Sequence, residues 1–146
     1  MNALSSSNSP SSSQHNLALL VLRVACSLVF LYHGSAILFG SFGGPGPAGF
    51  SAFMHTPIAV GYLVGLAQFA GGLAILMGVL FRTGAVCIII VMLGAIFLVH
   101  FSHGCDVSKG GLEYAFTELC LAFALFLIGP GAYSLNSSLP AAIRKL

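Results

Sequence analysis

Four long runs of apolar residues dominate the chain, and each run is close to the length that crosses a lipid bilayer. They lie at about 17–39, 58–81, 83–101 and 113–128. A helix of roughly 20 apolar residues spans the ~30 Å hydrocarbon core of a membrane. The runs are apolar all round and lack the alternation of barrel strands, and a helix satisfies its own backbone groups in lipid. The pattern therefore predicts an all-α fold, a four-helix transmembrane bundle.

The connections between the runs contain residues that end helices. Glycine and proline dominate residues 40–47 and form the Gly129-Pro130-Gly131 break after the last run. Arg82 alone separates the second and third runs, which predicts a tight hairpin at that position. The pattern divides the chain into a disordered Ser-rich tail, a membrane domain and a short basic tail, at 1–16, 17–135 and 136–146.

Two strips of glycine on the second run predict close packing between helices. Gly61, Gly65 and Gly72 share nearly one face, and Gly71 and Gly78 form an adjacent strip. Small residues let helix backbones approach closely in lipid, where hydrophobicity gives no drive between helices. We therefore expect close backbone contact along this helix.

Composition excludes most soluble classes of protein. Hydrophobic residues make up 58% of the 146 residues and charged residues only 5%. A soluble domain carries about 25% charged residues to keep its surface hydrated. The net charge of +2 comes without a basic stripe, so nucleic acid is not an expected partner. The expected surroundings are a lipid bilayer.

The positions of lysine and arginine predict the orientation in the membrane. With four spans, both tails and Arg82 share one side, which also carries Arg144 and Lys145, while Lys109 is alone on the other. Cytoplasmic loops carry the excess of Lys and Arg, so both termini are expected in the cytoplasm. Arg23 lies inside the first run, and its long side chain is expected to extend back toward the headgroups.

Polar side chains gather in the half of the membrane away from the termini. They are His33, Gln68, Glu113 and Glu118. Burying an ionisable group at membrane depth costs a few kcal/mol of free energy unless the group is paired or lies in a water-filled cavity. Glu118 has no cation within a turn on its own helix, so it is expected to be protonated or hydrogen-bonded across the bundle, with His33 as the natural candidate partner. These side chains form either a ligand or proton-relay site that opens outward, for example for a quinone headgroup, or a polar clasp that fixes helix register.

Glu113 has a structural interpretation besides a ligand-binding one. It stands at the start of the fourth run, where a carboxylate stabilises the N-terminus of a helix. Both interpretations stay open from the sequence.

The segment His100-x-x-His103-x-Cys105 offers a weak metal pattern in the loop before the fourth run. Imidazole and thiolate groups can bind zinc or copper. The helix ends between the two histidines, however, and neither HExxH nor paired CxxC is present. No metal and no covalently bound cofactor is therefore expected, and outward-facing metal handling is a remaining alternative.

Three stretches of the sequence resemble the DoxX family of small bacterial membrane proteins. They are Arg23-Val24 through Phe30-Leu31-Tyr32-His33-Gly34, then Gly71-Gly72-Leu73-Ala74-Ile75-Leu76-Met77-Gly78-Val79-Leu80-Phe81-Arg82-Thr83, then Gly129-Pro130-Gly131-Ala132-Tyr133-Ser134-Leu135. The stretches occur in the family's order and spacing, and the resemblance covers about 17–135.

The resemblance implies a multi-pass protein of the bacterial inner (cytoplasmic) membrane. Relatives are described as small subunits of quinone-linked oxidoreductases such as thiosulfate:quinone oxidoreductase, and others as membrane anchors of redox-defence assemblies. It thus implies protein partners, a possible quinone and a non-catalytic oxidoreductase subunit rather than an enzyme on its own. A non-enzymatic scaffold or assembly partner is the alternative.

Individual positions agree with the family pattern or depart from it. His33, Arg82 and Glu113 match by position. Ile37 stands where the family often has lysine, and Gln68 stands where it often has glutamate. Glutamine keeps hydrogen bonding but has neither proton nor charge to exchange, which weakens acid–base chemistry at that position.

Overall fold

The computed structural model describes residues 12–138 and 140, and every regular element within them is helical. The all-α class is confirmed for this part of the chain. The five α-helices are α1 Ser12–Phe39, α2 Gly46–Phe53, α3 Ile58–Met77, α4 Phe81–Ala95 and α5 Glu113–Ile128. A π-helical turn, Ile96–His100, and a 3-10 turn, Phe101–His103, continue α4.

The four longer helices surround one apolar core. α1 packs along α3, α3 packs beside α4, α4 beside α5, and α5 returns to contact α1 at fewer positions. The centre of the core is formed by side chains with little or no solvent exposure: Cys26, Phe30, Ile75, Phe81, Ala85, Ile88, Ala122 and Leu125. We call the end with the α1–α3 and α4–α5 connections the loop end, and the end with the α3–α4 turn the terminal end.

Three helical segments are long and apolar enough to cross a membrane. They are Ser12–Phe39, Ile58–Met77 and Phe81–His103. α5 has 16 residues and is about 24 Å long, shorter than the other three. Large apolar side chains cover the outward faces of all four helices, including Leu28, Leu63, Leu98 and Phe123. Apolar surface of this extent is suited to lipid and not to water.

The first helix begins earlier than the apolar pattern predicts. α1 begins at Ser12, so residues 12–16 are helical, whereas residues 1–11 of the predicted tail lie outside the described residues. The Asn16 side chain explains the extension, because its amide donates to the Ser12 carbonyl and its Oδ1 accepts the Ala132 N–H. Contacts with the segment after α5 therefore add the extra turn. Residues 141–146 are also outside the described residues.

The prediction that Arg82 alone forms the α3–α4 turn is wrong. The turn consists of residues 78–80, and Arg82 is the second residue of α4. Gly78 ends α3 with a left-handed φ of 71°, and the N–H groups of Gly78 and Val79 both donate to the Ala74 carbonyl. Glycine adopts this conformation without a Cβ penalty. Helix α3 therefore ends at Met77, four residues before the end of the apolar run.

The glycine strips pack as predicted, with one addition. A Cβ on Gly65 would lie 3.1 Å from the Leu38 nitrogen of α1, and one on Gly71 would lie 3.1 Å from the Gly84 carbonyl oxygen of α4. Gly61 instead faces the short helix α2, and its N–H donates to Ser51 Oγ at 3.0 Å. The sequence pattern did not predict α2, because glycine and proline at its start indicate a loop, although proline is well suited to the first turn of a helix.

Candidate functional site

Glu118 occupies a core position of α5. It lies on the same helix face as the other buried residues of α5, Ala115, Ala122 and Leu125, and is only 7% exposed. The two alanines one turn to either side carry only a methyl group, so no large α5 side chain covers the carboxyl. A carboxyl at this position is surrounded by apolar core rather than by water.

The Glu118 carboxyl has no hydrogen-bond partner among residues 12–138. Its Oε2 atom is fully buried and unpartnered, and no described residue pairs with Oε1 by hydrogen bond or salt bridge. A buried acceptor without a partner costs about 1–3 kcal/mol. A clasp that fixed helix register would need a partner across the bundle. No such partner of Glu118 Oε2 is present among the described residues.

The neighbours of Glu118 differ from the predicted one. Cys26 of α1 packs in the same core cluster as Ala122, one turn after Glu118, and Tyr114 lies one turn before Glu118 on α5. The prediction that His33 pairs with Glu118 is wrong, because neither a hydrogen bond nor an ion pair joins them in the described part of the chain. The register of α1 explains this, since Cys26 packs in that core cluster and His33 lies two turns closer to the loop end. His33 is exposed, with its ring edge-on to Tyr32 at 5.3 Å.

Two further buried polar groups come from α1 and α3. Ser27 Oγ of α1 is fully buried and unpartnered, and the Gln68 amide of α3, 6% exposed, forms no hydrogen bond with a described residue. Gln68 shares the α1-facing side of α3 with Gly72, whose Cβ position is 3.3 Å from the Ser27 carbonyl oxygen. We call Ser27, Gln68 and Glu118 the polar layer. Its members come from three different helices.

Sequence reasoning found two members of the polar layer and missed Ser27. A serine in an apolar helix usually donates to the carbonyl one turn earlier and then needs no other partner. The available signal was its spacing, because Ser27 follows Arg23 by four residues and precedes Phe30 by three, on the buried face of α1. Only the structure reveals that its hydroxyl lacks that backbone bond.

Glu113 lies outside the polar layer. It is exposed, its Oε1 accepts the Val107 N–H at 2.8 Å, and its own N–H donates to the Cys105 carbonyl. These bonds fasten the α4–α5 loop to the first turn of α5. Glu113 is therefore a loop-anchoring residue, in line with the helix N-terminus interpretation.

The described structure does not bring His100, His103 and Cys105 together as metal ligands. His100 Nδ1 donates to the Gly110 carbonyl at 2.7 Å, and His103 Nδ1 donates to the Val99 carbonyl at 2.9 Å. Within residues 12–138, no three His, Cys, Asp or Glu side chains are close enough to hold a metal ion.

The prediction that the Arg23 side chain extends to the headgroups is wrong. It is 1% exposed, and its guanidinium donates to four backbone carbonyls, those of Ile75, Leu76, Pro130 and Tyr133. The last carbonyls of a helix have no intrahelical donor, which makes the end of α3 a ready acceptor. Arg23 therefore joins α1 to the end of α3 and to the segment after α5.

Arg82 is an exposed basic residue at the terminal end. Its guanidinium lies 5.6 Å from the centre of the Phe126 ring of α5. In this cation–π contact the guanidinium remains exposed at the surface of the protein.

Comparison with known families identifies the chain. A family model described as DoxX matches residues 18–101, more than half of the 146 residues. No curated protein and no solved structure matches the chain. The matched part contains most of α1 and all of α2, α3 and α4, and three of these helices, α1, α3 and α4 with its continuation, are long and apolar enough to cross a membrane. The chain therefore belongs to the DoxX family and is a membrane protein.

Proposed function

We propose that this DoxX protein crosses the bacterial inner membrane four times, as α1, α3, α4 and α5, with both termini in the cytoplasm. The three long apolar segments and the apolar outer face of α5 support four spans. Arg82 at the terminal end and Lys109 at the loop end support the orientation, together with Arg144 and Lys145 in the sequence. In this orientation the loop end faces away from the cytoplasm.

We further propose that the polar layer binds the headgroup of a quinone. The observation that carries this is the Glu118 carboxyl, which is buried in the core with no hydrogen-bond partner among the described residues. Quinone carbonyls accept hydrogen bonds and quinol hydroxyls donate them. A carboxyl, an amide and a hydroxyl complement both forms, and the apolar surroundings suit the lipid-soluble rest of the molecule.

The route to the polar layer lies between α1 and α5 at the loop end. These two helices contact each other at fewer positions than α1 and α3 do. His33 and Tyr114 are exposed on them, each closer to the loop end than the polar layer. In this proposal His33 contacts the headgroup as it enters.

The proposed role is that of a small membrane subunit of an oxidoreductase complex. Side chains such as Glu118, Gln68 and Ser27 can bind and orient a quinone, but electron transfer requires a redox cofactor. The proposal therefore assigns the electron-carrying centre to a protein partner. A scaffold without a ligand is the alternative, and it requires no function of the polar layer.

Titration of the purified protein with a short-chain ubiquinone and a short-chain menaquinone tests the site. We expect Glu118→Gln to weaken binding about tenfold, a loss of about 1.4 kcal/mol, because glutamine retains the shape but not the acid proton. His33→Ala should also weaken binding. Glu113→Gln is the matched control on the same helix and should bind as the wild type does.

The quinone affinities of the wild type and the variants distinguish the proposed site from a scaffold without a ligand. If both Glu118→Gln and His33→Ala retain full affinity with normal helicity, the site assignment is rejected. If the wild-type protein binds neither quinone yet co-purifies with soluble partners, the scaffold alternative replaces the proposal.

A further inference from the structure

The two connections at the loop end differ in charge. Residues 40–57, between α1 and α3, contain no Asp, Glu, Lys or Arg. The α4–α5 loop contains Asp106 and Lys109, whose side chains are 52% and 77% exposed and form an ion pair. Hydrogen bonds from the Ser108 hydroxyl and backbone N–H lower the pKa of Asp106, which keeps the carboxylate ionised. The α4–α5 loop thus has the chemistry of a water-exposed loop, and residues 40–57 do not.

Residues 40–57 present phenylalanine side chains outward. Phe42 is 71% exposed and Phe53 is 69% exposed. Phe39, at the end of α1, and Ile58 and Tyr62, at the start of α3, are exposed next to them on the flanking helices. The apolar surface of this segment is therefore continuous with the outward faces of two helices that have the length and composition of membrane spans.

The exposed phenylalanines belong to an ordered segment. The Phe42 ring stacks on the Tyr32 ring of α1 with 4.9 Å between centres and 20° between planes. Phe42 keeps this position although its φ of 57° lies in the left-handed region, which side chains with a Cβ disfavour. Ser51, the polar residue of α2, faces inward and accepts the Gly61 N–H. The Ser51 hydroxyl of α2 is thus bonded inside the protein, and the outer face of α2 is apolar.

We infer that residues 40–57 lie in the interfacial zone of the bilayer, with α2 as an interfacial helix, and that their partner is lipid rather than water. Interfacial helices bury apolar side chains such as phenylalanine at the boundary between headgroups and acyl chains, and tyrosine favours the level of the headgroups. An exposed aromatic surface without charge is stable in that zone and unfavourable in water. The α4–α5 loop at the same end of the bundle projects into water.

Single tryptophan substitutions can test this, because the chain contains no tryptophan. Phe53→Trp and Phe42→Trp place the probe in residues 40–57, and both keep an aromatic ring at an exposed position. Val107→Trp is the water-exposed comparison in the α4–α5 loop, and Phe123→Trp is the lipid-exposed comparison on α5; both positions are more than half exposed. Each variant is reconstituted in phosphatidylcholine vesicles.

Two quenchers then locate each tryptophan. Phosphatidylcholine brominated close to the headgroup should quench Phe53→Trp and Phe42→Trp several-fold more than Val107→Trp, and aqueous acrylamide should show the reverse order. Equal acrylamide quenching of Phe53→Trp and Val107→Trp would place the segment in water and overturn the inference. Protection of Phe53→Trp from both quenchers would mean that protein, such as a second copy of the chain, covers this face, and would overturn it as well.

Discussion

Arg23→Met is expected to destabilise the purified protein strongly, whereas Arg82→Met should have almost no effect. Methionine fills much of the arginine volume but donates no hydrogen bond. The carbonyls of Ile75, Leu76, Pro130 and Tyr133 would all lose a charged donor. Each buried acceptor left without a partner costs about 1–3 kcal/mol, so the total loss should exceed about 3 kcal/mol.

Arg82→Met is the control, because it removes a positive charge without removing a buried guanidinium. Arg82 is at the same end of the molecule but exposed, and exposed substitutions usually change stability by less than about 0.5 kcal/mol. Arg23→Lys should be intermediate, because an ammonium group lacks the planar fork that reaches several carbonyls. Thermal unfolding in mild detergent, followed by circular dichroism, measures all three. Equal midpoints for Arg23→Met and Arg82→Met would contradict the arrangement and would favour a headgroup contact for Arg23.

Alanine at Gly34 and at Gly94 should change stability in opposite directions. A Cβ on Gly34 would lie 2.5 Å from the Phe69 nitrogen and 2.8 Å from its Cα, and these backbone atoms of α3 cannot move aside alone. The two helices would have to separate, at a cost of about 1–3 kcal/mol. A Cβ on Gly94 in α4 meets no atom within 4 Å. Alanine there should therefore stabilise the helix by up to about 1 kcal/mol.

The same unfolding measurement, with both variants at equal protein and detergent concentrations, checks this pair. Both substitutions add one methyl group to a glycine in a helix, so their difference reports the local packing. If Gly34→Ala unfolds at the wild-type temperature or above, α1 and α3 do not approach as closely as described.

The parts of the fold that depend on local sequence were predictable. The length and hydrophobicity of each run indicate a helix in lipid without knowledge of its neighbours. Helix α5 extends over Glu113–Ile128, the same bounds as the fourth apolar run. Glycine spacing also predicted the close contacts of Gly65 and Gly71, because the helical repeat alone decides which residues share a face.

The parts that depend on contacts between distant segments were not predictable. The carbonyls that bind Arg23 come from α3 and from the segment after α5, so a single helix gives no sign of them. The pairing of His33 with Glu118 was predicted from depth alone. Depth does not fix the relative register of α1 and α5, and in the structure Cys26, two turns from His33, packs in the core with Ala122 of α5.

The family match and the candidate site overlap only in part. Ser27 and Gln68 lie within the matched residues 18–101, whereas Glu118 lies beyond them. Membership in the DoxX family therefore supports the membrane setting of α1 to α4 without addressing the acidic member of the polar layer. The case for Glu118 depends on its burial and its missing partner.

The two ends of the bundle have different roles in the proposal. At the terminal end, hydrogen bonds of Arg23 join α1 to α3 and to the segment after α5. These bonds hold the terminal end of the core together. Along their whole length α1 and α5 contact each other at fewer positions than α1 and α3 do, and at the loop end His33 and Tyr114 are exposed. A ligand that reaches Glu118 would therefore enter from the loop end.

Infrared difference spectroscopy with and without a bound short-chain quinone tests the proposed ligand site most directly, because it observes the carboxyl group itself. We predict that quinone binding shifts a carboxyl band that is absent from Glu118→Gln and retained in Glu113→Gln. A shift that persists in Glu118→Gln, or bound quinone with no carboxyl change, would contradict the assignment of Glu118.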